Sequence, residues 1–99
     1  MEIQKNKQGQ ALRIVLSGRL DNTTAPMLEE SIQEDIHDIK ELDFDLAGLE
    51  YISSAGLRVI LYAQKIMNKQ GKMTISHPNS FIREIFDITG FSDILTLLD

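Results

Sequence analysis

The side chains best equipped for chemistry in this chain are few and widely spaced. His37 and His77 lie forty residues apart, and neither has a second ligand at metal-binding spacing. The chain has no cysteine, which excludes a disulfide framework, a thiolate zinc site and a cysteine nucleophile. Asp43 and Asp45 stand two apart in an alternating segment, so they share one strand face and have the form of a carboxylate pair. A solvated sheet face is the preferred account of them. Asp45 is the more suggestive of the two, because it falls near the end of its expected strand, the edge where open α/β sheets place their sites. Gly18, Gly48, Gly56, Gly71 and Gly90 are isolated and form neither a dinucleotide fingerprint nor a phosphate loop.

The run Tyr51-Ile52-Ser53-Ser54-Ala55-Gly56-Leu57-Arg58 carries more information. Two serines and two small residues open a helix just beyond a strand. Either serine could cap that helix by accepting a bond from an orphan amide, and Gly56 permits close packing. Hydrolase chemistry fits poorly, since a nucleophile elbow needs glycine two residues before the serine, where Ile52 stands. Phosphate display fits better, because first-turn amides and the helix dipole favour an anion there. Arg58, four residues after Ser54, lies on the same side of the helix. Gly56 is expected in an open first turn, where a leucine would block an approaching partner and leave the fold intact.

The elements that must position this run follow from periodicity. Met1 to Lys7 is edge-like, and a turn at Gln8 to Gln10 leads into Ala11 to Ser17, where Leu12, Ile14 and Leu16 share one face. These two segments predict an antiparallel hairpin. Gly18 to Thr24 breaks the pattern before a helix capped by Thr24, with Pro26 in its first turn and Leu28, Ile32 and Ile36 on one stripe. Glu41 to Leu46 alternates as a strand, and Ala47 to Ile52 is expected as a short link. The longest helix runs from about Ser53 to Lys69, with Gly71 closing it. Lys72 to Ser76 predicts a strand, Asn79 or Ser80 caps a third helix, and the apolar tail adds a short element over the core. The order β-β-α-β-α-β-α plus a terminal element predicts an α/β fold: a mixed sheet with an N-terminal hairpin and packed helices.

Ninety-nine residues, 42 % of them hydrophobic and 25 % charged, suit a single domain over 1–99. A formal charge of −5 argues against direct nucleic-acid binding, which draws on phosphate neutralisation. The opening MEIQKNKQGQ has no apolar core of a signal peptide, and no run approaches the ~18 apolar residues of a membrane helix. No membrane insertion and a cytoplasmic location are therefore expected.

Across its whole length the sequence resembles the STAS domain family, and within it the bacterial anti-sigma-factor antagonists. The resemblance is carried by Gly18-Arg19-Leu20-Asp21 with Thr24-Ala25-Pro26, by Tyr51-Ile52-Ser53-Ser54-Ala55-Gly56-Leu57, and by Ile85-Phe86-Asp87-Ile88-Thr89-Gly90-Phe91. It implies a STAS-like fold with Ser54 as phosphoacceptor, flanked by the acidic neighbours Asp21 and Asp45. Ser53 stands where many relatives carry aspartate, and Ala55 where they often carry serine or threonine. The partner surface it implies comprises Asp21, Asn22, Thr23, Ser53, Ser54, Ala55, Gly56, Leu57 and Arg58. The implied mechanism is partner switching. The unmodified protein binds a serine kinase that is also an anti-sigma factor and so frees a sigma factor; a metal-dependent serine phosphatase reverses the phosphorylation. ATP and magnesium belong to the kinase, so the chain itself is expected to need no cofactor or metal, and to be no enzyme. The alternative is a STAS interaction subunit regulating a transporter, a lipid-transport complex or a secretion system.

Overall fold

The computed structural model describes residues 1–98. Its elements are strand β1 (Glu2–Gln8), β2 (Ala11–Leu20), helix α1 (Ala25–Asp35), β3 (Glu41–Ile52), α2 (Ser54–Gln70), β4 (Lys72–Ser76), α3 (Ser80–Thr89) and β5 (Leu97–Leu98). Short 3-10 turns at Ile36–Asp38 and Phe91–Asp93 follow α1 and α3. The apolar tail thus ends in a strand; its last residue, Asp99, lies outside the described residues.

The five strands lie in the sheet in chain order, β1-β2-β3-β4-β5. β1 and β2 form the expected antiparallel hairpin, and β2 to β5 are parallel neighbours. Crossovers of one hand between strands laid down in sequence place their helices on one face of the sheet. The burial pattern agrees. Leu12, Ile14 and Leu16 of β2, Leu42, Phe44 and Leu46 of β3 and Ile75 of β4 are buried, together with Leu28 and Ile32 of α1 and Ile60 and Met67 of α2. Arg13, Asp43, Asp45 and Thr74 alternate with them on the other face and stay at least partly accessible. Even β1 turns Lys5 inward, where its ammonium reaches Glu34 Oε1 (2.7 Å), Asp35 Oδ2 (2.9 Å) and the Ser31 carbonyl (3.2 Å) on α1.

Two expectations about the strands need correction. Ala47 to Ile52 is not a link: β3 continues to Ile52 and pairs with β2 as far as Leu20↔Ile52. Register shifts between Val15 and Ser17 and between Gly18 and Arg19 leave β3 with extra residues against β2. Such bulges break strict alternation, so the apolar rhythm ends at Leu46 while pairing goes on. Gly18, likewise expected to break the pattern, lies inside β2 with φ +96°, a conformation open to glycine at little cost.

Phe44 is fully buried at the centre of this arrangement. Phe44→Ala should lower unfolding stability by about 3–5 kcal/mol, read from urea denaturation followed by circular dichroism.

Candidate functional site

Extending β2 and β3 to Leu20 and Ile52 brings two chain segments side by side at the carboxyl edge of the sheet. Ser53 N–H donates to the Leu20 carbonyl (2.9 Å), which carries the β-pairing into the first residue after β3. Ser53 then caps α2: its Oγ accepts from the Gly56 amide at 3.4 Å, and its carbonyl takes the Leu57 amide at 2.9 Å. The same hydroxyl donates to Asn22 Oδ1 at 3.5 Å, tying the start of α2 to the β2–α1 loop. Ser53 is therefore half-buried and engaged.

Ser54 is different. It is the first residue of α2, exposed, and its hydroxyl has no hydrogen bond among the described residues. The amides of Ser54 and Ala55 belong to the first turn, where a helix leaves its donors without intrahelical acceptors. No acidic side chain occupies that turn. Arg58, one turn further on, is exposed.

The neighbouring loop is built on Asp21. Its Oδ1 accepts the Thr23 amide (3.0 Å), the Thr24 amide (3.1 Å) and the Thr24 hydroxyl (3.3 Å). The Thr24 amide is the main reason the Asp21 carboxyl is held below the ordinary carboxylate range; the Thr23 amide, the Thr24 hydroxyl and the charge of Arg19 add to it. Thr24 stands at the N-cap position of α1, as expected, but its side chain does not cap the helix. Its hydroxyl donates back to the Arg19 carbonyl (2.9 Å) and accepts from the Asp21 amide (2.9 Å). Asn22 and Thr23 are left exposed at the tip of the loop.

Three of the expected site residues are placed differently by the structure. Asp45 is not a neighbour of Ser54, because β3 runs on seven residues beyond it, on the order of 15–20 Å at ~3.3 Å per residue with bulges. It lies on the open face instead, bonded to Arg13 Nη2 at 2.5 Å and to the Ala47 amide at 3.0 Å, with His77 Nδ1 3.4 Å away. Burial opposes ionisation of Asp45, yet these donors, Arg13 foremost, outweigh it and hold its carboxyl below the ordinary range. Gly56 is buried, and a Cβ there would meet Leu20 Cγ at 2.7 Å and Ile52 Cγ1 at 2.9 Å. It seats α2 on the strand ends and does not form an open edge. Leu57, 8 % exposed, likewise packs inward, in contact with the core. Asp21, Asn22, Thr23, Ser53, Ser54, Ala55 and Arg58 remain at or near the surface.

Sequence reasoning missed an aromatic group at the same edge. Arg19 and Tyr51 are register partners on β2 and β3, and the Arg19 guanidinium carbon sits 4.3 Å from the centre of the Tyr51 ring. Tyr51 also stacks with Phe81 of α3, centroids 6.3 Å apart and planes 23° from parallel. Asn79 caps α3 by accepting the Ile82 amide (2.8 Å) and donates to the Leu49 carbonyl (3.0 Å), which anchors Phe81 beside β3. The pairing Arg19↔Tyr51 could be found only by knowing that β3 extends this far.

The model of the STAS domain matches residues 2–99. The chain belongs to the STAS domain family. BtrV of Bordetella bronchiseptica is 32 % identical over a match spanning 95 % of this chain and 83 % of its own length. The anti-sigma-B factor antagonist of Staphylococcus epidermidis is 33 % identical, with 83 % of this chain and 78 % of that one covered. Among solved structures, Bacillus SpoIIAA matches in two states at 17 % identity. Its unphosphorylated form gives a TM-score of 0.86 over 99 % of this chain and 89 % of that one. Its phosphorylated form gives 0.78 over 99 % and 92 %. The STAS fold accounts for the mixed sheet, the hairpin and the three helices described above.

Two outcomes follow from this geometry. Gly56→Ala should lower the unfolding midpoint, because overpacking against Leu20 and Ile52 costs about 1–3 kcal/mol against a propensity gain of at most ~1 kcal/mol. The stability that Asp21 contributes through its charge is present above its unfolded-state pKa of about 3.9 and lost as pH falls through its lower folded value. The stability difference between wild type and Asp21→Asn, measured by urea unfolding, should therefore shrink between about pH 6 and about pH 3.

Proposed function

We propose that this STAS domain is an anti-sigma-factor antagonist that works by partner switching, with Ser54 as its phosphoacceptor. The observation that carries the reading is the contrast between the two adjacent serines. The Ser53 hydroxyl is committed to the Gly56 amide and Asn22, whereas the Ser54 hydroxyl is exposed and unengaged. A transferase needs an oxygen that it can reach and deprotonate without dismantling a helix cap. The names of relatives point the same way, as does the existence of SpoIIAA in phosphorylated and unphosphorylated forms.

In this reading the partner is a serine kinase that also serves as the anti-sigma factor. Unmodified protein binds it through the β2–α1 loop and the start of α2, and a sigma factor is released. Ser54 Oγ then attacks the γ-phosphorus of ATP held by the kinase. A new O–P bond forms, the bond to the ADP oxygen breaks, and the serine proton passes to a base on the kinase. This chain supplies only the nucleophilic oxygen, so it is a substrate and regulator in that reaction. A metal-dependent serine phosphatase returns it to the binding state, and the cycle is cytoplasmic.

The charge step explains why binding is lost. Phosphate takes the formal charge from −5 to about −7 at neutral pH. Within the free protein the first-turn amides of α2 and the dipole tolerate that charge. Within the complex the phosphate would have to be desolvated against a surface that had accommodated a small hydroxyl, which penalises association.

The test is phosphate incorporation and kinase affinity for three variants, each first checked for folding by circular dichroism. Ser54→Ala should bind the kinase and take no phosphate. Ser54→Asp should bind more weakly than wild type. Ser53→Ala should still be labelled, at a reduced rate where the cap is weakened. Full labelling of Ser54→Ala, with none of Ser53→Ala, would move the site by one residue.

A further inference from the structure

β2 and β3 end together at one edge, and beyond the shorter β4 the segment 77–79 follows β3 toward it, with Asn79 bonding the Leu49 carbonyl, so the segments leading into α1, α2 and α3 approach one another there. Two of those segments form the phosphoacceptor surface proposed above. The third brings Phe81 against Tyr51, and Tyr51 against Arg19, in a continuous stack. Phe81 is 48 % exposed, Tyr51 is half-buried and Arg19 is exposed, so the stack lies at the surface and not in the core. Arg19 is two residues before Asp21, and Tyr51 is two residues before Ser53. The stack is thus joined by two short stretches of β-paired backbone to both halves of the Ser54 surface.

We infer that Arg19, Tyr51 and Phe81 form an anchoring patch for the same kinase that phosphorylates Ser54, and that it holds most of the affinity that Ser54 itself cannot supply. The inference rests on the partner-switching reading. A serine hydroxyl, two small residues and a polar loop offer little area to desolvate. Tight interfaces depend on a few large side chains, with tyrosine and arginine enriched among them and partners packed around them. This stack has that composition. It is also pre-ordered by the cation–π contact and by the Asn79 bonds to Leu49 and Ile82, so little side-chain entropy remains to be lost on binding. Because it lies beside the phosphoacceptor and not beneath it, the patch can stay unchanged while phosphorylation alters the charge next to it. Recognition and switching are then carried by different side chains.

The experiment is calorimetric titration of the source organism's anti-sigma-factor kinases, purified singly, with wild type, Tyr51→Ala, Phe81→Ala, Arg19→Lys, Ser54→Asp and Ile94→Ala. Ile94, 48 % exposed like Phe81, follows α3 and controls for general loss of apolar surface. Thermal melts establish that each variant is folded. Tyr51→Ala and Phe81→Ala are expected to weaken Kd at least about tenfold, with Ile94→Ala unchanged. Arg19→Lys keeps the charge but loses the planar stack, and an intermediate loss is expected. Wild-type affinity in both aromatic variants, together with weakened binding by Ser54→Asp, would overturn the patch and leave the proposed function standing. Failure of wild type to bind any of the kinases would overturn both. Normal kinase binding, with concentration-dependent self-association that disappears in Phe81→Ala, would assign the patch to a second copy of this chain and so refute the inference.

Discussion

The close approach of Gly56 to Leu20 and Ile52 sets the geometry of the carboxyl edge. At the Gly56 position the first turn of α2 lies so close to the paired strand ends that a Cβ would stand 2.7 Å from Leu20 Cγ. With that turn seated, Ser53 falls into the position where its amide continues the β-pairing and its hydroxyl closes the cap. The next residue outward is necessarily Ser54. The packing of Gly56 and the cap made by Ser53 thus fix the turn in which Ser54 is left exposed.

The second constraint is the length of β3. Twelve residues carry it past the end of β4, so that its last part is paired to β2 but not to β4. That projecting portion holds Leu49, Tyr51 and Ile52, and each serves a different neighbour. The Leu49 carbonyl holds Asn79, Tyr51 contacts both Arg19 and Phe81, and Ile52 lies under α2. The open face below it is organised separately, with Asp43 Oδ1 accepting both the Thr74 and Ser76 hydroxyls at 2.7 Å and Arg13 spanning toward Asp45.

Much of this was legible from the sequence for identifiable reasons. The hairpin, α2 and β4 follow from uninterrupted periodicities and clear turn residues, and the structure reproduces them within a few residues; of the two caps offered for α3, Asn79 and Ser80, it uses Asn79. The start of α2 was legible through small residues placed where a strand gives way to a helix. What failed depended on register. Bulges opposite Leu16 and Gly18 shift β3 out of alternation, so its second half reads as a loop and Asp45 reads as close to the strand's end. For Gly56 the close-packing reading holds and the open-edge reading fails, because a glycine in a first turn reads the same whether it faces solvent or a pair of apolar strand ends. The Arg19–Tyr51–Phe81 stack draws one residue from each of three elements, and no local pattern marks it.

The identity between strand order in the sheet and strand order in the chain bears on how the molecule assembles. Every strand pairs with its predecessor in sequence, so no segment must wait for a distant one before it finds a partner. The hairpin needs only a turn at Gly9, and each later strand closes a single strand–helix–strand loop. The entropy of ordering is thereby lost in short instalments, and native pairing can grow from the amino end as the chain emerges during synthesis. Topologies with a strand inserted between earlier ones lack that option, and contacts between distant segments slow their folding.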